Sequence, residues 1–141
     1  MADKKVDWKE CCSKKLVKSI SPDFNMINSL KKTSENKLKS SEELQISEIT
    51  ASSKFTLAYD SLREILEALA LKTGYKIYNH ECYTAFLKEI IHESINGDEF
   101  DEIRKVRNSV NYYGKDIGIE DAQKLINKIK KLRSFILVLL K

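Results

Sequence analysis

The chain has few of the residues that build turns and no run long enough to span a membrane. Its 141 residues include one proline and four glycines. β-Sandwiches and barrels need many turn residues, so this shortage favours a mostly helical protein. The apolar run at residues 135–140 is far shorter than the ~20 residues that cross a bilayer. The N-terminus has no apolar signal region. We therefore expect a cytoplasmic protein that does not enter a membrane.

Cysteine and histidine are also scarce. Cys11, Cys12 and Cys82 form no CxxC pair and leave an odd count, so we predict reduced thiols instead of a disulfide framework or a zinc site. The two histidines, His80 and His92, are twelve residues apart and fit no metal-binding motif. No glycine-rich phosphate loop is present. We therefore expect neither a metal nor another cofactor.

Charge is distributed unevenly along the chain. The formal net charge is +4, but residues 101–141 carry ten Lys or Arg against five Asp or Glu. Residues 46–100 carry five against nine. Such asymmetry is typical of a nucleic-acid-binding face. It is equally compatible with contact between the basic part and an acidic partner or the chain's own acidic part.

Apolar residues recur at helical spacing along most of the chain, which predicts an all-α fold. With short connections, we expect an up-and-down bundle of about five helices. It forms one domain, with residues 1–21 as a helical N-terminal extension and residues 22–141 as the core. The second helix is weak in apolar content, and an exposed hairpin is an alternative for it. The helical patterns cover residues 3–20, 24–38, 53–73, 82–91, 100–113 and 119–140.

Several residues mark the ends of these helices. Ser52 or Ser53 suits the start of the central helix and Gly74 its end. Asn79 suits the cap position of the next helix, and we expect His80 to help order that turn. The sequence Asn96-Gly97-Asp98 indicates a turn before a helix that Asp98 caps. The residues that we predict to be buried are Phe55, Leu62, Leu66, Leu69, Phe86, Ile90, Ile103, Val106, Val110, Leu125, Ile129 and Leu132.

The stretch from Phe100 to Gly114 combines an apolar face with a polar one, because residues three and four positions apart lie above one another. The apolar face consists of Phe100, Ile103, Val106 and Val110. The polar arc consists of Arg104, Arg107, Asn108 and Asn111. Tyr112 and Tyr113 end the helix. Either this is a core helix whose Arg107 and Asn108 hold helices together, or its polar arc binds a ligand.

The residues Arg107-Asn108-Ser109-Val110-Asn111-Tyr112 resemble the signature of the HEPN superfamily, which consists of small all-helical proteins. That signature is an arginine, a polar residue that is often asparagine, and a histidine four to six residues later. The flanking Asp101, Ile103 and Tyr113-Gly114 are similar to the family's pattern too, as is Asn79-His80 after the central helix. The resemblance covers roughly residues 22–140. Tyr112 stands where the family's ribonucleases carry histidine.

The resemblance implies two functions. In the family's ribonucleases, arginine and histidine of two subunits act together without metal, so Arg107 and Tyr112 are the candidate catalytic residues. A phenol is a weaker base than imidazole at neutral pH, since their ordinary pKa values are about 10 and about 6.5. We therefore favour binding without cleavage. The candidate ligand-binding residues are Arg104, Arg107, Asn108, Asn111 and Tyr113.

The resemblance also implies partners. Many HEPN proteins are encoded beside a small nucleotidyltransferase and pair with it, in some cases as a toxin–antitoxin couple. The ligand is then RNA, a nucleotide or such a partner. The family's arrangement places the Arg107 helix at a two-fold interface, so we predict a homodimer or a heteromer. The apolar run at residues 135–140 also favours a partner surface.

Overall fold

The fold is organised around one long central helix. The structure, a computed structural model, describes residues 6–141 and consists mostly of helix, as the apolar spacing predicts. None of the helices in that range is both long and apolar enough to cross a membrane. The elements in chain order are α1 (Trp8–Ser13), β1 (Val17–Ser19), α2 (Phe24–Glu43), α3 (Ala51–Thr73), β2 (Tyr75–Ile77), α4 (His80–Ala85), a π-helical turn (Phe86–Ile90), α5 (Ser94–Tyr113) and α6 (Ile119–Leu139).

Helix α3 forms the centre of the core. Phe55, Tyr59, Leu62 and Leu66 recur on one face and are fully buried. Helix α3 ends at Gly74, whose φ of 100° is readily adopted only by glycine, as predicted. The prediction that a serine caps its start is wrong. The N-cap position is Thr50, which makes no side-chain cap, and Ser52 Oγ instead accepts from the Ile117 backbone N–H at 3.2 Å.

Helix α2 runs antiparallel to α3 and is held against it by small polar residues. Ser34 Oγ donates to the Ser61 carbonyl at 2.7 Å, and Ser41 Oγ donates to the Lys54 carbonyl at 2.8 Å. The buried Arg133 of α6 donates to Ser34 Oγ at 3.0 Å. The alternative of an exposed hairpin is therefore wrong. The small serines allow close packing although the helix is weakly apolar.

The N-terminal segment differs from its prediction. Helix α1 ends at Ser13, and Lys15 has a φ of 60°, which turns the chain back. Strand β1 then pairs antiparallel with β2, Val17 opposite Ile77. The predicted helix over residues 3–20 is therefore wrong beyond Ser13, whereas the mostly helical content agrees with an all-α fold that includes this one short strand pair. Residues 3–5 of that predicted helix lie outside the described part of the chain.

A disulfide joins Cys11 to Cys82, across 71 positions of sequence. Both residues are fully buried, whereas Cys12 is an exposed free thiol. The prediction of reduced thiols is therefore wrong for this pair. The odd number of cysteines did not exclude a disulfide, because one bridge and one free thiol also give three cysteines. Disulfides are rare in the cytosol, so the cysteines no longer support the predicted cytoplasmic location.

Helix α5 begins before the predicted turn. It starts at Ser94, so Asn96-Gly97-Asp98 lies inside its first turns. A Cβ at position 97 would collide with the Lys88 side chain, whose Nζ also lies 2.7 Å from Asp98 Oδ1. Glycine thus allows close contact between α5 and the π-helical turn, and the turn prediction is wrong. Asn79, in contrast, caps α4 as predicted, accepting from the Glu81 N–H at 2.8 Å.

Most of the predicted core is buried, with one systematic exception. Eight of the twelve predicted residues are buried, and the partly exposed ones are Ile90, Val106, Val110 and Leu125. Three of these lie where α5 and α6 face each other. Helix α5 packs chiefly on α4 and the π-helical turn, so it leaves an open groove towards α6.

Candidate functional site

A polar cleft lies where α5 passes the start of α4. Its volume is about 460 Å³. It brings together the polar arc of α5 and the Asn79-His80 pair, which are far apart in sequence. Its lining residues are Tyr78, Asn79, His80, Glu81, Arg104, Arg107, Asn108 and Tyr112.

Arg107 is the cation at the centre of this cleft. Its guanidinium carbon lies 5.4 Å from the centroid of the Tyr59 ring and 5.8 Å from that of Tyr112, so it lies over both rings. With its amide oriented so that Oδ1 faces the guanidinium, Asn111 accepts from Arg107 Nε at 3.0 Å and from Nη2 at 3.2 Å. No carboxylate of residues 6–141 lies within ion-pair distance of Arg107. Its charge is thus held in place by Asn111 and is not paired with a carboxylate of residues 6–141.

Arg104 has a different environment, although it lines the same cleft. Its Nε and Nη2 donate to Asp101 Oδ1 at 3.1 and 2.9 Å, and Thr84 Oγ1 donates to the same oxygen. Burial raises the pKa of Asp101, but the hydrogen bonds and charge of Arg104 outweigh burial and lower that pKa. Arg104 is therefore an internally paired cation. Asp101 also joins α5 to α4 through Thr84, and the paired Arg104 contributes less net charge to the cleft than Arg107.

Behind the lining of the cleft, the buried Tyr59 contacts both Arg107 and His80. Tyr59 Oη and His80 Nδ1 are 3.0 Å apart. Burial raises the pKa of the Tyr59 phenol, so the hydroxyl stays protonated. Its sole hydrogen-bond partner among the described residues is Nδ1. The hydroxyl therefore donates to Nδ1, and the neutral imidazole carries its proton on Nε2. His80 is in this form a hydrogen-bond donor through Nε2.

Burial and nearby positive charges keep His80 neutral. Burial, together with the positive charges of Arg107, Arg63 and Arg104, lowers the pKa of His80 to about 4. A neutral imidazole adds no further positive charge to the two arginines of the cleft. The net charge of the site therefore rests on Arg107, with Glu81 at the rim as the opposing charge.

The structure places the candidate residues in three groups. Arg107, Asn108 and Tyr112 lie together in the cleft, with Arg104 beside them. Asn111 reaches the cleft through its contact with Arg107. Tyr113 is 75% exposed and does not line the cleft. The arrangement within one chain thus joins Arg107 to Tyr112 and separates both from Tyr113.

Sequence reasoning missed Tyr59 as part of the site, and for His80 it favoured ordering of a turn over a catalytic role. A signal for Tyr59 was present. It follows Phe55 by one helical turn on the apolar stripe of α3, and a buried tyrosine hydroxyl needs a hydrogen-bond partner. The identity of that partner depends on how α4 packs on α3, which spacing does not reveal.

The low pKa of His80 predicts how stability depends on pH. The pKa in the folded state lies below the value of about 6.5 in an unfolded chain, so the unfolded state binds more protons between about pH 6.5 and about pH 4. The free energy of unfolding should therefore fall as the pH drops through that window. Urea unfolding at a series of pH values measures this slope.

His80→Gln is the control for this prediction, because glutamine keeps hydrogen-bonding capacity and does not titrate. The variant should lose part of the slope between about pH 6.5 and about pH 4. An NMR titration of the imidazole should give a pKa well below the usual value. An unchanged slope in the variant, or an NMR pKa of 6.5 or above, would contradict the environment described for His80.

The chain was compared with protein-family models, curated proteins and solved structures, and none of the three comparisons found a match.

Proposed function

We propose that this chain is a HEPN-like protein that binds RNA or a nucleotide through the Arg107 cleft and does not cleave RNA. The observation that carries the proposal is the guanidinium of Arg107. It is oriented by Asn111, lies over two tyrosine rings and has no carboxylate partner among residues 6–141. Because Nε and Nη2 donate to Asn111, the Nη1–Nη2 edge of this fixed guanidinium is the one that can donate to two phosphate oxygens.

The other groups of the cleft also suit a nucleotide ligand. Asn108 has an amide beside Arg107 with both donor and acceptor atoms, which can pair with a base edge. Tyr112 is 70% exposed and offers a ring face to a base. Stacking of this kind contributes about 1–3 kcal/mol per base in single-strand binding proteins. A phosphate on Arg107 and a base on Tyr112 would lie within one cleft.

Fluorescence anisotropy with a labelled single-stranded oligouridine tests the proposal. We expect saturable binding whose logarithmic affinity falls linearly with the logarithm of salt concentration, because phosphate contacts release counterions. The labelled RNA should remain intact during the titration. Absence of binding at low salt would contradict the proposal.

The second candidate function is a metal-independent endoribonuclease, acting in the family's manner as a toxin. His80 favours it, because α4 brings an imidazole into the same cleft as Arg107. Two features favour binding instead. The Nδ1 atom of His80 is occupied by Tyr59, and Nε2 carries a proton, so this tautomer offers no free nitrogen lone pair to accept a proton. Tyr112 stands at the position of the family's histidine.

Tyr112→His distinguishes the two functions. We expect the unmodified protein not to cut RNA and the variant to gain slow cleavage that survives EDTA, because imidazole titrates near neutral pH and phenol does not. Gel analysis of a labelled RNA measures both. Cleavage by the unmodified protein that His80→Gln abolishes would show that the ribonuclease alternative is right.

The homodimer and the nucleotidyltransferase partner stay predictions that rest on the family resemblance. Both would be supported if the chain copurified with a co-expressed small nucleotidyltransferase, or if light scattering gave a dimer mass. A strictly monomeric mass at high micromolar concentration would count against the homodimer.

A further inference from the structure

A second cleft lies on the other side of α5, between its C-terminal half and α6. It is an open groove of about 660 Å³. Its floor is apolar and includes Val106, Val110 and Leu125, which are only partly buried, and Ile117. These are the positions where the predicted core is left incomplete. An apolar surface of this kind, rimmed by charge, is typical of a site that another molecule covers.

One rim of the groove is a row of lysines on α6. Lys124, Lys128 and Lys131 follow at steps of four and three residues, so they lie along one edge. All three are exposed and none forms an ion pair within residues 6–141. Asp116 and Asp121 lie at the end of the groove where α6 begins, and Lys115 is beside them. Most of the groove's length therefore presents unneutralised positive charge beside an apolar floor.

We propose that this groove binds an acidic amphipathic helix of a partner protein. The apolar side of such a helix would cover Val106, Val110 and Leu125, and its acidic side would face the three lysines. The lysine row with Asp121 spans ten positions of α6, or about 15 Å, which matches about three turns of a bound helix. This surface is separate from the Arg107 cleft and does not depend on its function.

The chemistry of the groove favours this occupant over two others. An RNA strand would use the lysines but would leave the valine and leucine floor in water. A second copy of the chain, related by a two-fold axis through this groove, would bring the same lysine-rich surface against itself. Like charges facing each other across an interface are unfavourable. An acidic amphipathic helix would both cover the apolar floor and neutralise the lysines of the rim.

The test uses two synthetic fluorescein-labelled peptides of about four helical turns, long enough to span the groove. Both carry leucine at positions i, i+3, i+4 and i+7. One has glutamate and the other has lysine at the flanking positions. The glutamate peptide should bind the full chain saturably, and the lysine peptide should bind at least about tenfold more weakly. Equal affinities, or no saturable binding, would overturn the proposal.

Two double variants locate the site. Lys124→Glu/Lys128→Glu should weaken binding of the glutamate peptide by about tenfold or more. Lys9→Glu/Lys32→Glu makes the same charge change at exposed lysines on α1 and α2, and should change the affinity by less than about twofold. Circular dichroism checks that both variants fold. Equal losses in the two variants would mean that the peptide responds to overall charge, which overturns the proposal.

An NMR titration separates the remaining occupants. The glutamate peptide should shift the methyl resonances of Val106, Val110 and Leu125. Shifts at these methyls produced by oligouridine and not by the peptide would identify a nucleic-acid surface and overturn the proposal. A dimer in sedimentation that Leu125→Glu dissociates would identify a second copy as the occupant, with the same consequence.

Discussion

Arg107→Ala should abolish binding of single-stranded RNA or nucleotide and leave the melting temperature nearly unchanged. The guanidinium is the one cleft cation without a carboxylate partner within the described chain. Hydrogen bonds to charged groups contribute about 1.5–3 kcal/mol each, so the loss should exceed about tenfold in affinity. The contacts that the side chain makes with Tyr59 and Tyr112 are worth about 1 kcal/mol to stability at this partly exposed position.

Lys105→Ala is the matched control for this variant. It removes the same charge from the same helix two positions away, from a side chain that is half exposed and pairs with Asp101 at 3.4 Å. Asp101 keeps Arg104 as its partner in that variant. The control should lower affinity only through the general charge of the surface. Arg107→Lys should bind weakly as well, because an ammonium does not reproduce the bidentate fork.

One outcome would show that Arg107 holds helices together instead of binding a ligand. Arg107→Ala would then keep its affinity for RNA and lose about 3 kcal/mol or more of stability, as happens when a buried pair is broken. Anisotropy and thermal unfolding of the same sample distinguish the two results.

Reduction of the Cys11–Cys82 disulfide should produce the largest loss of stability. Closing a loop of this length restricts the unfolded chain by about 4 kcal/mol in the loop-entropy description. For a chain of this size that loss lowers the melting temperature by roughly 10 °C. Both sulfurs are buried and link α1 to α4, so reduction also weakens the attachment of the N-terminal segment. Thermal unfolding with and without dithiothreitol measures the change.

Alkylation and a third cysteine provide the controls. Without reductant the folded or denatured chain should take up one alkyl group, at Cys12, and after reduction it should take up three. Cys12→Ala should change stability by less than about 0.5 kcal/mol, since this side chain is exposed. Three alkylated thiols before reduction, or equal melting temperatures, would show that the bridge does not form.

The sequence was most informative where the determinants of structure are local. The predicted helices at residues 53–73 and 119–140 agree within two residues with Ala51–Thr73 and Ile119–Leu139. Gly74 and Asn79 act at the helix ends as predicted. In each case the signal is a repeat of apolar residues or a cap that interacts within one helical turn.

The errors concern interactions between distant residues. Strand β1 depends on its pairing with β2, where Val17 lies opposite Ile77. The disulfide depends on the packing of α1 beside α4. Gly97 looks like a turn residue in sequence, and only the Lys88 side chain explains why it lies within a helix. Short-range spacing contains no information about these partners.

In the candidate site, too, the sequence predicted contacts within one helix and missed contacts between helices. Arg107, Asn108 and Tyr112 could be grouped from helical spacing, because they belong to one helix. The contribution of Tyr59 and His80 could not, because it depends on the packing of α3, α4 and α5. The ion pair of Arg104 with Asp101 could have been predicted from the sequence, since the two residues are three apart on α5.

Helix α5 is buried mainly in its first half. Its buried residues are Gly97, Phe100, Asp101 and Ile103, all in the first half, and its last two residues are mostly exposed tyrosines. Local opening costs least where few apolar contacts are lost, so backbone amides should exchange slowly near Ile103 and quickly near Tyr113. The last turn of α5, which ends in Tyr112 and Tyr113, should therefore open more readily than the first half of the helix. Ordering the C-terminal turn of α5 would reduce the net binding free energy of a ligand that contacts this turn.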